Sequence, residues 1–145
     1  MRFERNLIFI KTDFRDKTAV VEFLGGQLVQ AGAVQPAYVQ AMHQREQDVG
    51  TYITEGVAIP HGTEGSRSLV NRAAIVALKI PRGIEWSDGK PVFLAFGIAG
   101  NEEDHVSLLS ELAIMLMDAD QKAKLLAAEN EDDLFACLNQ TGGND

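Results

Sequence analysis

The sequence predicts an α/β fold: a three-layer α/β/α sandwich built on one sheet. Three observations lead there. Short apolar, β-prone runs at 7–10, 57–59, 73–80 and 92–99 alternate with stretches of helical periodicity. Two of those runs, 73–80 and 92–99, are apolar at nearly every position, so both faces of their strands need cover. Helices lie between and after the strands in the chain, and only helices on both sides of a single sheet supply that cover.

Leu7 to Ile10 is the first strand. Asp13 or Asp16 can cap the helix that follows, whose buried face is marked by Val20, Leu24, Leu28 and Ala31 at helical spacing. Gly25 and Gly26 fall inside this helix, where each costs about 1 kcal/mol relative to alanine. Close packing against a neighbouring element accounts for such a pair. A nucleotide-binding loop does not, because the preceding strand and the spaced glycines are missing. Gly32 stops the helix, and Pro36 suits the first turn of the next. Tyr38, Met42 and Arg45 share one side of that second helix, which Gly50 closes. His43 faces away from Met42 and reads as a surface residue.

Val57-Ala58-Ile59 is a brief buried strand between Gly56 and Pro60. Residues 63–68 are polar and loop-like. Ala73 to Ile80 is an interior strand. Pro81-Arg82-Gly83 and Ser87 to Pro91 are turn clusters, with Trp86 between them as a core-edge residue. Val92 to Ala99 is the next buried strand. Asn101 can cap the following helix, with Asp104 three residues on. Val106, Leu109, Leu112, Ala113 and Leu116 make its expected buried stripe. Residues 121–128 and 131–139 are two short C-terminal helices. The chain reads as a single domain over 1–145, with 140–145 a polar, frayed tail.

Bulk properties narrow the function. The chain has 145 residues, 46% hydrophobic and 23% charged, with a formal net charge of -8. That charge argues against nucleic acid and anionic membrane surfaces as partners and fits docking onto a basic protein surface. The single Cys137 cannot form an internal disulfide and suits a buried apolar position in a reducing compartment. No signal pattern and no apolar run of membrane-spanning length is present, so direct membrane insertion is not expected.

The chemistry concentrates at His61. Pro60 stiffens the strand end before it, and Gly62 gives space for a turn or another molecule after it. A histidine with an ordinary pKa of about 6.5 offers a neutral nucleophilic nitrogen at cell pH. Local chemistry alone leaves two uses open: that nucleophile, or a ring bonded to a turn. His105 poses a similar choice. It stands in the first turn of a helix, where free N–H groups attract phosphate. Glu102, Glu103 and Asp104 crowd the same turn. They can repel an anion, or they can hold His105 protonated as a donor to it. A metal site from His43, His61 and His105 lacks helical ligand spacing and any cysteine pair. No serine-nucleophile elbow occurs either.

A longer pattern links these residues. Tyr38-Val-Gln-Ala-Met-His-Gln-Arg-Glu46, Thr51-Tyr52, Gly56-Val-Ala-Ile-Pro-His-Gly62, and Gly97-Ile-Ala99 leading to Asp104-His105 run in order. Together they resemble the IIA proteins of the phosphoenolpyruvate-dependent sugar phosphotransferase system. The mannitol/fructose class is the match, the mannitol type most of all. The resemblance covers about Val20 to Leu138 and is most specific around His61. It implies a small mixed sheet and a phosphotransferase of the cytoplasm with a phosphohistidine intermediate. His61 would be the phosphorylated nucleophile. Arg45, in the family's helix-end Arg-Glu pair, and His105 would stabilise the phosphate. The implied donor is the phosphocarrier protein HPr. The implied acceptor is the sugar-specific IIB domain of a membrane IIBC permease, with mannitol as the sugar. The chain's length and lone domain suggest a separate IIA subunit, and such a transfer between histidines requires no metal or other cofactor. Two alternatives belong to the same superfamily: a fructose-type IIA, and a nitrogen-related IIA that signals through its phosphorylation state. The Asp88-Gly-Lys-Pro-Val92 turn leans towards those branches.

Overall fold

The structure is a computed structural model and describes residues 2–142. Five strands form one mixed sheet in the order β1-β4-β5-β3-β2. They are β1 (Ile8–Ile10), β2 (Tyr52–Thr54), β3 (Gly56–Ala58), β4 (Ala74–Ser87) and β5 (Lys90–Ala99). β1 runs parallel to β4, and β3 parallel to β5, while the β4–β5 and β2–β3 pairs are antiparallel. The expected three layers are present. α1 (Lys17–Gln30) and α2 (Ala37–Asp48) cover one face; α3 (His105–Met117), α4 (Ala119–Ala127) and α5 (Glu131–Gly142) cover the other.

The period-two geometry of a strand sorts the central residues between two cores. Val76, Leu78 and Ile80 of β4 point to the α1–α2 side, where Val20, Leu24, Leu28, Tyr38 and Met42 meet them. Ile75 and Ala77 of β4, with Leu94, Phe96 and Ile98 of β5, point to the other side, against Leu112, Leu116, Leu125, Leu134 and Leu138. These side chains are almost fully removed from water. Burying each contributes about 1.5–3 kcal/mol, so the central strands are the rigid part of the chain.

Asp16 caps α1 by accepting from the Ala19 N–H at 3.0 Å. Ala31 lies just past the last turn of α1, half-buried and packed against the same core. Gly25 meets the expectation of close packing. A Cβ there would lie 3.0 Å from Val39 and 3.2 Å from the Met42 sulfur, whereas Gly26 faces open space. Pro36 takes the N-cap position of α2, one residue ahead of the first turn.

Several expectations need correction. Residues 81–83 are not a turn: β4 continues through them as one 14-residue strand. The register with β5 slips between Lys79 and Ile84, and Gly83, at φ +72°, absorbs the extra residues as a bulge. The true reversal is the two-residue turn Asp88-Gly89, with φ of +51° and +77°, between the paired residues Ser87 and Lys90. Trp86 is therefore a buried strand residue. β2 had no signal of its own, because it is only three residues long and half-exposed. Residues 64–69 coil into a short 3-10 helix rather than a loop. His43 is half-buried, with Nε2 2.8 Å from Glu22 Oε1 of α1. The buried stripe of α3 is His105, Leu108, Leu112, Met115 and Leu116, and Val106 is 63% exposed. His105 occupies the inward position at the start of that stripe, which rotates Val106 to solvent. Of the expected frayed tail, residues 140–142 are helical backbone, and 143–145 lie outside the described residues.

Candidate functional site

The three residues singled out in the sequence come together at one end of the sheet. His61 extends the line of β3. It bridges Ile98 of β5, and the Ile98 N–H donates to the Pro60 carbonyl at 3.0 Å. His105 opens α3, directly after β5. The two rings lie 5.0 Å apart, centre to centre, inclined at 57°. Both histidines are buried, His61 at 8% and His105 at 3% exposure. Arg45 reaches the same region from the last turn of α2, where its Nη1 donates to the Gly50 carbonyl at 2.9 Å. Its charge acts on both rings.

His61 Nδ1 lies 2.7 Å from the Ile59 carbonyl oxygen. A carbonyl oxygen only accepts, so Nδ1 carries the proton and Nε2 keeps its lone pair. Burial, above all, pushes the His61 pKa below its usual value. The Ile59 bond and Glu46 pull the other way, and the arginine charges of Arg45 and Arg67 add to the depression. The imidazole is thus a neutral ring with one nitrogen lone pair available.

His105 is pushed down to about 4 by burial first, then by His61, Arg67 and Arg45. This decides between the two outcomes that the sequence left open. Glu102, Glu103 and Asp104 are exposed to solvent, and the cations around the ring prevail. At neutral pH His105 is an uncharged ring with one N–H to donate, not an imidazolium. Its Nδ1 is buried without a hydrogen-bond partner. Asn101 does cap this turn, since its Oδ1 accepts from the N–H groups of Glu103 and Asp104 at 3.0 and 2.9 Å.

Sequence reasoning missed three residues that build this site. Tyr38 donates its hydroxyl to the Ile98 carbonyl at 2.8 Å and accepts from the Gly62 N–H at 2.9 Å, so α2 fixes the backbone just past His61. Gly62 itself is required by space: a Cβ there would lie 2.6 and 2.9 Å from Tyr38 ring carbons, and closer still to the Ser66 hydroxyl. Glu46 is buried. It accepts from Thr51 N at 3.2 Å, Thr51 Oγ1 at 2.5 Å and Trp86 Nε1 at 2.9 Å. Its carboxylate thereby anchors Thr51, next to the Gly50 carbonyl that holds Arg45. The Thr51 carbonyl in turn accepts from Ile59 N at 2.9 Å. The third is Arg67, on the 3-10 helix after His61. Glu46 was within reach of the sequence as the partner of Arg45 in the Arg-Glu pair. Arg67 sits in a stretch with no periodic signal.

Two arginine charges and the His105 ring around a buried, neutral imidazole suit an anion on His61 Nε2. The sequence matches the family described as phosphoenolpyruvate-dependent sugar phosphotransferase system, EIIA 2, over residues 1–141. The chain belongs to this family. A mannitol-specific phosphotransferase enzyme IIA component of Staphylococcus aureus is 36% identical over 132 residues, covering 91% of both chains. The crystal structure of IIA mannitol from Escherichia coli superposes with a TM-score of 0.84 at 28% identity, covering 95% of this chain and 99% of that one. The complex of enzyme IIAMTL with phosphorylated enzyme IIBMTL, also from Escherichia coli, contains a similar chain. It matches with a TM-score of 0.83 and 28% identity, over 92% of this chain and 95% of that one.

Among the described residues no three His, Cys, Asp or Glu side chains gather as a metal site, and His43 lies against α1 instead. No described helix is long and apolar enough to cross a membrane. A cleft of about 610 Å³ lies at the opposite end of the strands, bounded by Tyr52, Gly56, Pro91 and Phe93, and none of the three expected site residues lines it. A smaller one, about 410 Å³, opens beside the site between Arg67 and Glu102.

Proposed function

We propose that this EIIA-family chain is a cytoplasmic phosphocarrier in which His61 carries the phosphoryl group. The observation that carries the reading is the 2.7 Å contact of His61 Nδ1 with the Ile59 carbonyl: it commits the Nδ1 proton there and leaves Nε2 a lone pair, with the His105 ring 5.0 Å away and the charges of Arg45 and Arg67 acting on the imidazole. The donor is a phosphohistidine on HPr. Nε2 attacks its phosphorus in line, the new P–N bond forms, and the old P–N bond breaks with its electron pair returning to the donor ring. The transferring group spreads negative charge over its outer oxygens, so placement and charge stabilisation supply most of the catalysis. Arg45 offers fixed N–H donors, and the neutral His105 offers one more.

In the second transfer the phosphoryl group passes to the cysteine of a IIB domain belonging to a membrane IIBC permease. The names of the relatives support mannitol as the sugar and weigh against a nitrogen-related regulatory role. Incubation with phosphoenolpyruvate, the general phosphotransferase enzyme and HPr tests this. One acid-labile phosphate per chain is expected, lost in His61→Ala. Labelling of His61→Ala at the normal level would refute the assignment.

A further inference from the structure

We infer that Arg67 is a third ligand of the phosphoryl group, and that Glu102 is the counter-ion the phosphoryl group replaces. The inference rests on the phosphocarrier reading and adds a residue to it.

Arg67 is mostly covered, with 19% of its side chain exposed, yet its Nε is buried without a hydrogen-bond partner. Buried donors on charged groups are rarely left so, and each needs an explanation. Glu102 is the carboxylate paired with it. Its Oε2 lies 3.8 Å from Arg67 Nη1, beyond hydrogen-bond range, on a side chain that is 72% exposed. Such a pair contributes little and is easily exchanged. The Arg67 charge also acts on both His61 and His105. The guanidinium therefore stands within electrostatic reach of both rings with an N–H unused.

Its backbone is held relative to the nucleophile. The 3-10 helix that carries it follows Thr63, whose carbonyl accepts from Ser66 N at 3.0 Å and Ser66 Oγ at 2.7 Å. Ser66 and Tyr38 both pack on Gly62. The cleft beside Arg67, which Asn101, Glu102 and Glu103 also line, leaves the guanidinium room to move. A phosphoryl group on His61 Nε2 would present paired oxygens to Nε–H and an Nη–H, the planar fork that arginine alone supplies. Its two negative charges outcompete one solvated carboxylate.

The test uses the full chain and phosphorylated HPr, with transfer followed by rapid quench. Arg67→Gln is expected to slow phosphorylation of His61 by about 10- to 100-fold, the range for losing a charge-assisted hydrogen bond in the transition state. Arg67→Lys keeps the charge without the fork and should fall between. Glu102→Gln removes the competitor and should speed transfer, by about 2- to 5-fold at low salt. In Arg67→Gln the phosphorus resonance of phospho-His61 should shift, which a purely structural arginine would not cause. Wild-type rates in Arg67→Gln, with an unmoved phosphorus signal, would overturn the inference and leave the phosphocarrier reading intact. Wild-type protein that takes no phosphate would overturn both.

Discussion

Removing the Glu46 carboxylate is a severe test of how the site is held. Its oxygens serve two fixed N–H donors, on Thr51 and Trp86, and the Thr51 hydroxyl, with Lys17 Nζ a further 3.6 Å away. In Glu46→Ala the two N–H groups lose their acceptor, at about 1–3 kcal/mol each. The hydroxyl can rotate to another partner, and Lys17, about one-third exposed, adds less than about 1 kcal/mol. A loss of about 2–6 kcal/mol follows, a large part of the 5–15 kcal/mol typical of a domain. With a urea slope of about 1–3 kcal/mol/M, the unfolding midpoint should drop by at least about 0.7 M. Glu46→Gln should lose about 1 kcal/mol or less. Its amide oxygen can serve both N–H groups while its NH2 donates to the Thr51 hydroxyl. Trp86 is the only tryptophan, so its fluorescence reports both unfolding and the lost bond. Glu46→Ala should also slow phosphoryl transfer even where it is fully folded, because Thr51 fixes the Gly50 carbonyl that orients Arg45. An alanine variant within 1 kcal/mol of wild type, or a glutamine variant as damaged as alanine, would refute this reasoning.

Gly62→Ala should cost about 1–3 kcal/mol through overlap with the Tyr38 ring and Ser66, and Ser66→Ala in the same chain should recover part of it; additive losses in urea unfolding would contradict the contact. The pH dependence has a definite sign. His105 has a folded pKa of about 4 against an ordinary 6.5, so the folded state disfavours the proton. Its contribution is fully present above about pH 6.5 and is lost as pH falls towards 4. Urea midpoints should fall over that range, less steeply in His105→Gln; equal slopes in the two proteins would show that the ring is not buried in the way described.

The layers of the fold were legible because the long strands and helices carry strong periodic signals. β4 and β5 read as interior strands from composition alone, and both helical layers from spacing. What failed was local. Pro81 and Gly83 look like a turn in sequence, but pairing with β5 outweighs two unfavourable residues once Gly83 takes the bulge conformation. β2 is too short to show a period. His61, Arg45 and His105 were legible because they stand at element ends within a family pattern. Arg67 and the links through Tyr38 and Glu46 were not, because they are made across the fold. Tyr38 meets Gly62, and Glu46 meets Trp86, only after the layers have assembled. The protonation of His105 stays open in the sequence for the same reason. The neighbouring acids are visible in sequence, whereas burial and the distant arginines are not.

The central claim is that the Ile59 carbonyl selects the phosphorylated nitrogen of His61. Nitrogen-15 and phosphorus-31 NMR of the protein, labelled in its histidines and phosphorylated through HPr, tests it directly. A phosphorus coupled to Nε2 of His61 is expected, with Nδ1 still protonated and hydrogen-bonded. Phosphate on Nδ1 of His61, or on His105, would contradict it.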